Sequence, residues 1–230
     1  MANRSDPVDT TESLNPRTGE WRTEAPMPTA RTWLATAGYR GRVFAIGGFD
    51  GSDQTGLSNV ESFDIDSGTW RIETPMPTPR YQLAAAASGG RIFALGGYTC
   101  PSGSCVTEAL VESMDVVTGE WRQEARLSTA GALISAAASS TQIFRLGGYI
   151  AGMQQQFDTV ESLAVDSVKK MSEWVTDEPM PTARSALGVA VVGDMLWAVG
   201  GIGGNGGREI LDVVEGFGQL GLLVTAPASE

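Results

Sequence analysis

Histidine is absent from the 230 residues, so any chemistry must come from carboxylates, arginines, hydroxyls and one pair of thiols. That excludes Ser-His-Asp and Cys-His nucleophiles, histidine acid-base catalysis and every metal centre that needs imidazole. Two cysteines cannot build a four-thiolate zinc site, and no cofactor or metal is expected. Cys100 and Cys105 enclose Pro-Ser-Gly-Ser, a turn-forming insert across which a disulfide could close in an oxidising compartment. Two reduced thiols in an exposed loop are the other reading. Asp50-Gly51-Ser52-Asp53 has an acidic look but lacks the calcium-loop pattern and its closing bidentate Glu, so it reads as a solvated loop. The remaining carboxylates and arginines recur: Glu61, Glu112, Glu161 and Glu215 each open a Glu-Ser or Glu-Gly pair, and Arg31, Arg80 and Arg184 each follow a Trp by ten residues. Groups repeated at equivalent places belong to architecture, because a catalytic centre is needed once.

The elements that hold these groups repeat with them. Glycine pairs stand at Gly47-Gly48, Gly96-Gly97, Gly147-Gly148 and Gly200-Gly201, spaced 49, 51 and 53 residues apart, and Trp21, Trp70, Trp121 and Trp174 keep the same spacings. Periods near 50 indicate a stacked or radial array. From each Trp to Arg31, Arg80, Gly131 or Arg184 is ten residues, and from there to the glycine pair sixteen; length varies in the two other connections. Each unit therefore reads as a four-stranded antiparallel meander in an all-β chain. First strands are expected at Trp33–Ala37, Leu83–Ala87, Leu133–Ala138 and Leu187–Val192, and second strands at Val43–Ile46, Ile92–Leu95, Ile143–Leu146 and Leu196–Val199. Third strands begin at Val60, Val111, Val160 and Val214, and the fourth carries the Trp. Ala84–Ala87 favours helix by propensity alone, and the repeat register overrides it in favour of an innermost strand.

Pro-Met-Pro followed by Arg, a strand closing in Gly-Gly, Val-Glu-Ser-Phe-Asp and Thr-Gly-x-Trp together resemble Kelch repeats over roughly residues 10–217. The resemblance implies a Kelch-type β-propeller of four-stranded antiparallel blades, about four in number. Residues 1–9 are expected as a flexible N-terminus, 10–217 as the one propeller domain and 218–230 as a tail. Third strands around both Glu12 and Glu215 make one strand surplus, which leaves two arrangements open: a small closed ring, or an open arc of a larger propeller whose bare faces would self-associate. Blade three departs from the pattern, with Gly131 in the arginine position and Arg145 in the second strand. Arg145 is expected either to fill the space that Arg31, Arg80 and Arg184 occupy elsewhere or to serve as a binding arginine in the channel.

Function is expected where the units differ, in the loops after the glycine pairs and at the turns into the first strands. In Kelch propellers these loops share one face around the channel, and in substrate adaptors of ubiquitin ligases that face binds peptides. Carried onto this chain, the resemblance implies a face bearing Phe49, Asp50, Tyr98, Tyr149 and Ile202 with Trp33, Tyr81, Gln82 and Ser185. The leading expectation is a non-catalytic module that binds a protein or peptide, with no catalytic residue. The alternatives are a carbohydrate-active enzyme similar to sialic acid mutarotases or epimerases, or a propeller fragment without independent function. Sixteen Lys and Arg against 27 Asp and Glu, a net charge of −11, make nucleic acid an unexpected partner. The first ten residues lack an apolar stretch and Leu187–Val199 is interrupted by Asp194, so neither signal peptide nor membrane span is read and the cytoplasm is the default compartment. Lys169 and Lys170, the only lysines, are expected at an exposed hairpin tip.

Overall fold

Second strands of β-branched, aliphatic and aromatic residues, each stopped by a glycine pair, give every unit its central rib. The computed structural model describes residues 6–51, 55–101, 104–150, 155–165, 173–204, 209–218 and 223–225. The chain opens with a hairpin, β1 (Glu12–Asn15) and β2 (Glu20–Thr23). Blade one is β3 (Ala35–Tyr39), β4 (Arg42–Ile46), β5 (Val60–Asp64) and β6 (Thr69–Ile72). Blade two is β7 (Ala84–Ser88) and β8 (Arg91–Leu95), a short loop hairpin β9 (Tyr98–Thr99) and β10 (Val106–Thr107), then β11 (Val111–Asp115) and β12 (Trp121–Gln123). Blade three is β13 (Ser135–Ala138), β14 (Gln142–Leu146), β15 (Val160–Ala164) and β16 (Val175–Thr176). Blade four is β17 (Gly188–Val192) and β18 (Met195–Val199), the loop hairpin β19 (Ile202–Gly203) and β20 (Glu209–Ile210), then β21 (Val214–Gly218) and β22 (Leu223–Thr225). Within each blade the strands pair antiparallel in chain order. No α-helix occurs among the described residues, and none is therefore long and apolar enough to cross a membrane.

The four sheets stand in a ring as a four-bladed propeller, and the core is the set of seams between them. Between blades one and two, Phe44, Ile46 and Val60 meet Leu83, Ala85, Ile92 and Ala94. Between two and three, Ala84, Ala86, Phe93 and Leu95 meet Ile134 and Ile143, and Leu146 and Val160 meet Leu187, Leu196 and Ala198 in the third seam. Alternate residues of Ala84–Ala86 thus serve opposite seams, the period-two signature of a strand. β7 lies between β3 and β13, and the two neighbours leave room for methyl groups; this tertiary demand outweighs the helix propensity of the run.

First strands pack in the order β3, β7, β13, β17, and no packing of comparable extent joins β17 to β3. The ring of four blades is therefore interrupted at the seam between blades four and one. Both third strands that competed for one place are present, β1 at one flank and β21 at the other. The first strands start later than expected because Trp33, Gln82, Leu133 and Ala186 take left-handed backbone conformations, with φ of 54°, 52°, 48° and 52°. Residues beyond 217, expected as a tail, contribute β22 as the fourth strand of blade four. Ser52, Asp53, Lys169 and Lys170 lie outside the described residues.

Candidate functional site

The repeated charged residues are occupied inside the blades. Arg80 Nη1 donates to the Gly96 and Leu110 carbonyls at 2.9 and 3.1 Å, and Nη2 donates to Glu112 Oε2 at 2.9 Å. Arg31 does the same with Gly47, Asn59 and Glu61, and Arg184 with Gly200, Val213 and Glu215. Burial lowers the pKa of each guanidinium and the partnering carboxylate opposes the shift, so each pair is held charged and neutralised within its blade. The Trp ring joins one blade to the one before it: Trp70, Trp121 and Trp174 Nε1 donate to the carbonyls of Ala25, Thr74 and Ala125 at 2.8, 2.9 and 3.0 Å. Trp21 stands 67% exposed.

The glycine pairs make a second joint. Gly48, Gly97 and Gly148 N–H donate to the carbonyls of Arg80, Gly131 and Arg184 in the next blade, at 2.9, 2.8 and 2.9 Å. A Cβ on Gly47, Gly96 or Gly147 would sit 2.4, 2.6 or 2.2 Å from that same carbonyl oxygen. Glycine is required there for close approach as well as for its positive φ.

Blade three keeps the charge balance by another route. Arg145, fully buried, places Nη1 3.6 Å from Glu161 Oε2, and its Nη2 lies 3.0 Å from where a Gly131 Cβ would project. The guanidinium thus occupies the space left by the missing arginine of the strand entry. Glu161 Oε1 also accepts from Ser128 N–H at 3.0 Å. Arg145 lies inside the blade, apart from the loop face.

A second buried network escaped the sequence reading. Ser62 and Arg42 both donate to Glu73, and Ser113 and Arg122 both donate to Glu124. The signal was present: the residue three after each repeated Trp is Glu24, Glu73, Glu124 or Asp177. In blade three Gln142 takes the place of Arg42 and Arg91, and Asp177 is left with its carboxyl pKa raised, by burial first, with the Glu161 charge adding and a Ser162 hydrogen bond opposing.

The loop face is built on the four left-handed residues. Their backbones link the blades in series, with Gln82 N–H donating to Trp33 O, Leu133 N–H to Gln82 O and Ala186 N–H to Leu133 O at 2.9, 3.0 and 2.8 Å. Beside each, the residue after the glycine pair bridges back to the strand entry: Thr32 with Phe49, Tyr81 with Tyr98, Ala132 with Tyr149 and Ser185 with Ile202. These constraints bring five rings into one row. Trp33 lies 5.8 Å from both Phe49 and Tyr81, Tyr81 5.4 Å from Tyr98, and Tyr98 6.1 Å from Tyr149. Phe49 and Tyr98 are buried as the floor, and Trp33, Tyr81 and Tyr149 are half-buried above them. Tyr98 Oη donates to Tyr149 Oη at 2.8 Å, and burial followed by that bond pushes the Tyr98 pKa up. Cys100 and Cys105 are joined in a disulfide whose sulfurs lie 3.6 and 3.7 Å from Tyr81 Oη.

Asp50 and Gln82 border the row, half-buried. Ser185 is buried and Ile202 half-buried in blade four, outside the aromatic row. Among the described residues no group of three or more Cys, Asp or Glu side chains is placed to hold a metal. The face offers ring faces, one amide and one carboxylate, a set suited to adsorbing a ligand.

The repeat joints, the blade register and the loop face agree with a comparison against family models: the KLHDC2/KLHL20/DRC7 Kelch-repeats domain matches residues 3–201. The chain belongs to the Kelch-repeat family. A solved structure titled "Structure of YjhT" superimposes on this Kelch chain with a TM-score of 0.75 at 14% identity, covering 96% of this chain and 81% of that one, a likeness of fold. No curated protein matches the sequence.

Proposed function

We propose that the chain is a non-catalytic Kelch-repeat module that binds a protein or peptide segment across the loop face. The row Phe49, Trp33, Tyr81, Tyr98 and Tyr149 carries this reading, because contiguous aromatic rings held on a stiff backbone supply contact area at small entropic cost. Phe49 and Tyr98 hold the row in place from below, and Trp33, Tyr81 and Tyr149 form its accessible part. The net charge of −11 favours basic segments over acidic ones.

The test is selection of peptides from a displayed random library on the intact protein, followed by titration against Trp33→Ala/Tyr81→Ala. The expected result is a set of saturable binders that the double variant loses while keeping its melting temperature. Binders indifferent to the double variant would refute the site. Interconversion of sialic acid anomers by the protein, followed by NMR, would replace the reading with the enzymatic one.

A further inference from the structure

The inward edge of the third strand is covered in every blade: β5 by β4, β11 by β8, β15 by β14 and β21 by β18. β1 is the equivalent strand, since Leu14 faces Trp21 across β1 and β2 just as Phe63 faces Trp70 and Met114 faces Trp121. Its outward main-chain bonds repeat as well. Glu24 N–H donates to Thr11 O and Met27 N–H to Asp9 O, as Glu73 does to Val60 and Met76 to Ser58. The inward edge of β1 pairs with no strand among the described residues, and all four of its residues are exposed.

Three repeated fixtures stand vacant beside that edge. Glu61 and Glu112 are bound by Arg31 and Arg80, Glu73 by Arg42 of the second strand, and Glu124 by Arg122 of its own fourth strand, with Arg91 of the second strand 3.9 Å away. Their counterparts Glu12 and Glu24 have no cationic partner among the described residues, Glu24 accepting only the Ser13 hydroxyl. The carbonyls of Arg80, Gly131 and Arg184 each accept an N–H from a preceding glycine pair, and no glycine pair among the described residues donates to the carbonyl of Arg31, which is bridged to Val8. Between β1 and blade one runs a groove of about 480 Å³ floored by Leu34, Val43, Ala45, Phe63 and Trp70.

We propose that the β1 edge and this groove bind a β-hairpin of another polypeptide, one with alternating apolar side chains and two arginines. One strand adds to β1, its apolar side chains fill the groove, the arginines meet Glu12 and Glu24, and a main-chain N–H reaches the Arg31 carbonyl. A second copy of this chain is a poorer occupant. Its own blade four has β18 already paired with β21, and Met195 stands where Arg42 and Arg91 stand in the first two blades.

The probe is a fluorescent peptide with the sequence of residues 30–48 of this chain, which carries Arg31, Arg42 and the glycine pair in the required spacing. It is titrated against the full chain by anisotropy. Saturable binding is expected, weakened roughly tenfold or more by Glu12→Gln/Glu24→Gln in the protein and equally by Arg31→Gln/Arg42→Gln in the peptide, as for lost charge-assisted hydrogen bonds. Trp33→Ala/Tyr81→Ala should leave this binding unchanged, which separates it from the loop face. Absence of saturable binding, binding indifferent to the carboxylates, or a concentration-dependent dimer that the peptide does not dissociate would each overturn the proposal.

Discussion

Gly147 and Gly200 occupy the same repeat position with nearly the same φ, 58° and 59°, in different surroundings. A Cβ at Gly147 would lie 2.2 Å from Arg184 O and 3.1 Å from Leu187 Cδ2, whereas at Gly200 its nearest neighbour is Leu211 O at 3.4 Å. Gly200→Ala should therefore cost the left-handed backbone term alone, about 1 kcal/mol. Gly147→Ala carries that term, about 1 kcal/mol for the strained Gly148–Arg184 hydrogen bond and a further 1–3 kcal/mol for overpacking, about 3–5 kcal/mol in all. At roughly 2–4 °C per kcal/mol for a chain of this size, the two variants should melt at least about 4 °C apart. Urea unfolding with calorimetry on the same samples reads both numbers. Equal losses would refute the reasoning, because they would mean that a neighbouring carbonyl stands against Gly200 as well and that the ring is not interrupted there in solution.

Arg145→Ala should lower stability by about 3–5 kcal/mol, since it strands the buried Glu161 charge, and adding Gly131→Arg should recover a large part by restoring the arrangement of the other blades; an unchanged melting temperature for Arg145→Ala would remove its structural role. Trp70→Phe should cost about 1 kcal/mol for the lost 2.8 Å bond to Ala25 O, while Trp21→Phe, at an exposed position, should stay within about 0.5 kcal/mol; chemical denaturation compares the two. The folded-state pKa of Asp177 is raised, so its proton-linked stability is full below the unfolded value near 4 and drains away as pH rises through the folded one. Asp177→Asn, which cannot ionise, should therefore gain in melting temperature over the wild type as pH rises above about 4 and match it below, and a pH-independent difference would contradict the burial argument.

The repeat spacing made the blades legible because a seam between sheets tolerates no insertion: the sixteen residues from Arg31 to Gly47 span the arginine and the carbonyl it binds. Third strands followed from the same register, whereas the pairing of each repeated arginine with the glutamate of its own blade was visible only in the fold. The starts of the first strands were not legible, since Trp33, Gln82, Leu133 and Ala186 are ordinary L-residues whose left-handed turns are imposed by bonds between blades. The interruption of the ring was equally hidden, because Gly200-Gly201 reads like the other glycine pairs and differs in what stands opposite it. Of the site, the rings were named one by one, but their union in one row depends on bridges such as Tyr81 with Tyr98 that no single repeat displays.

Repetition supplies an internal control that most folds lack. Glu61, Glu112 and Glu215 show what the position demands, a buried arginine, so Glu161 with its substitute Arg145 and Glu12 without a cation among the described residues are departures measured against three worked examples. The two departures differ in kind. Arg145 supplies the charge from within the same sheet, fully buried 3.6 Å from Glu161, though without the hydrogen bonds that the other arginines make, which makes it a local and incomplete repair. Glu12 lies on an open strand edge beside an apolar groove, where the missing group would have to arrive together with a strand and apolar side chains. A vacancy in charge, backbone pairing and packing at one place selects a ligand far more narrowly than an unpaired carboxylate does, and it does so independently of the aromatic face.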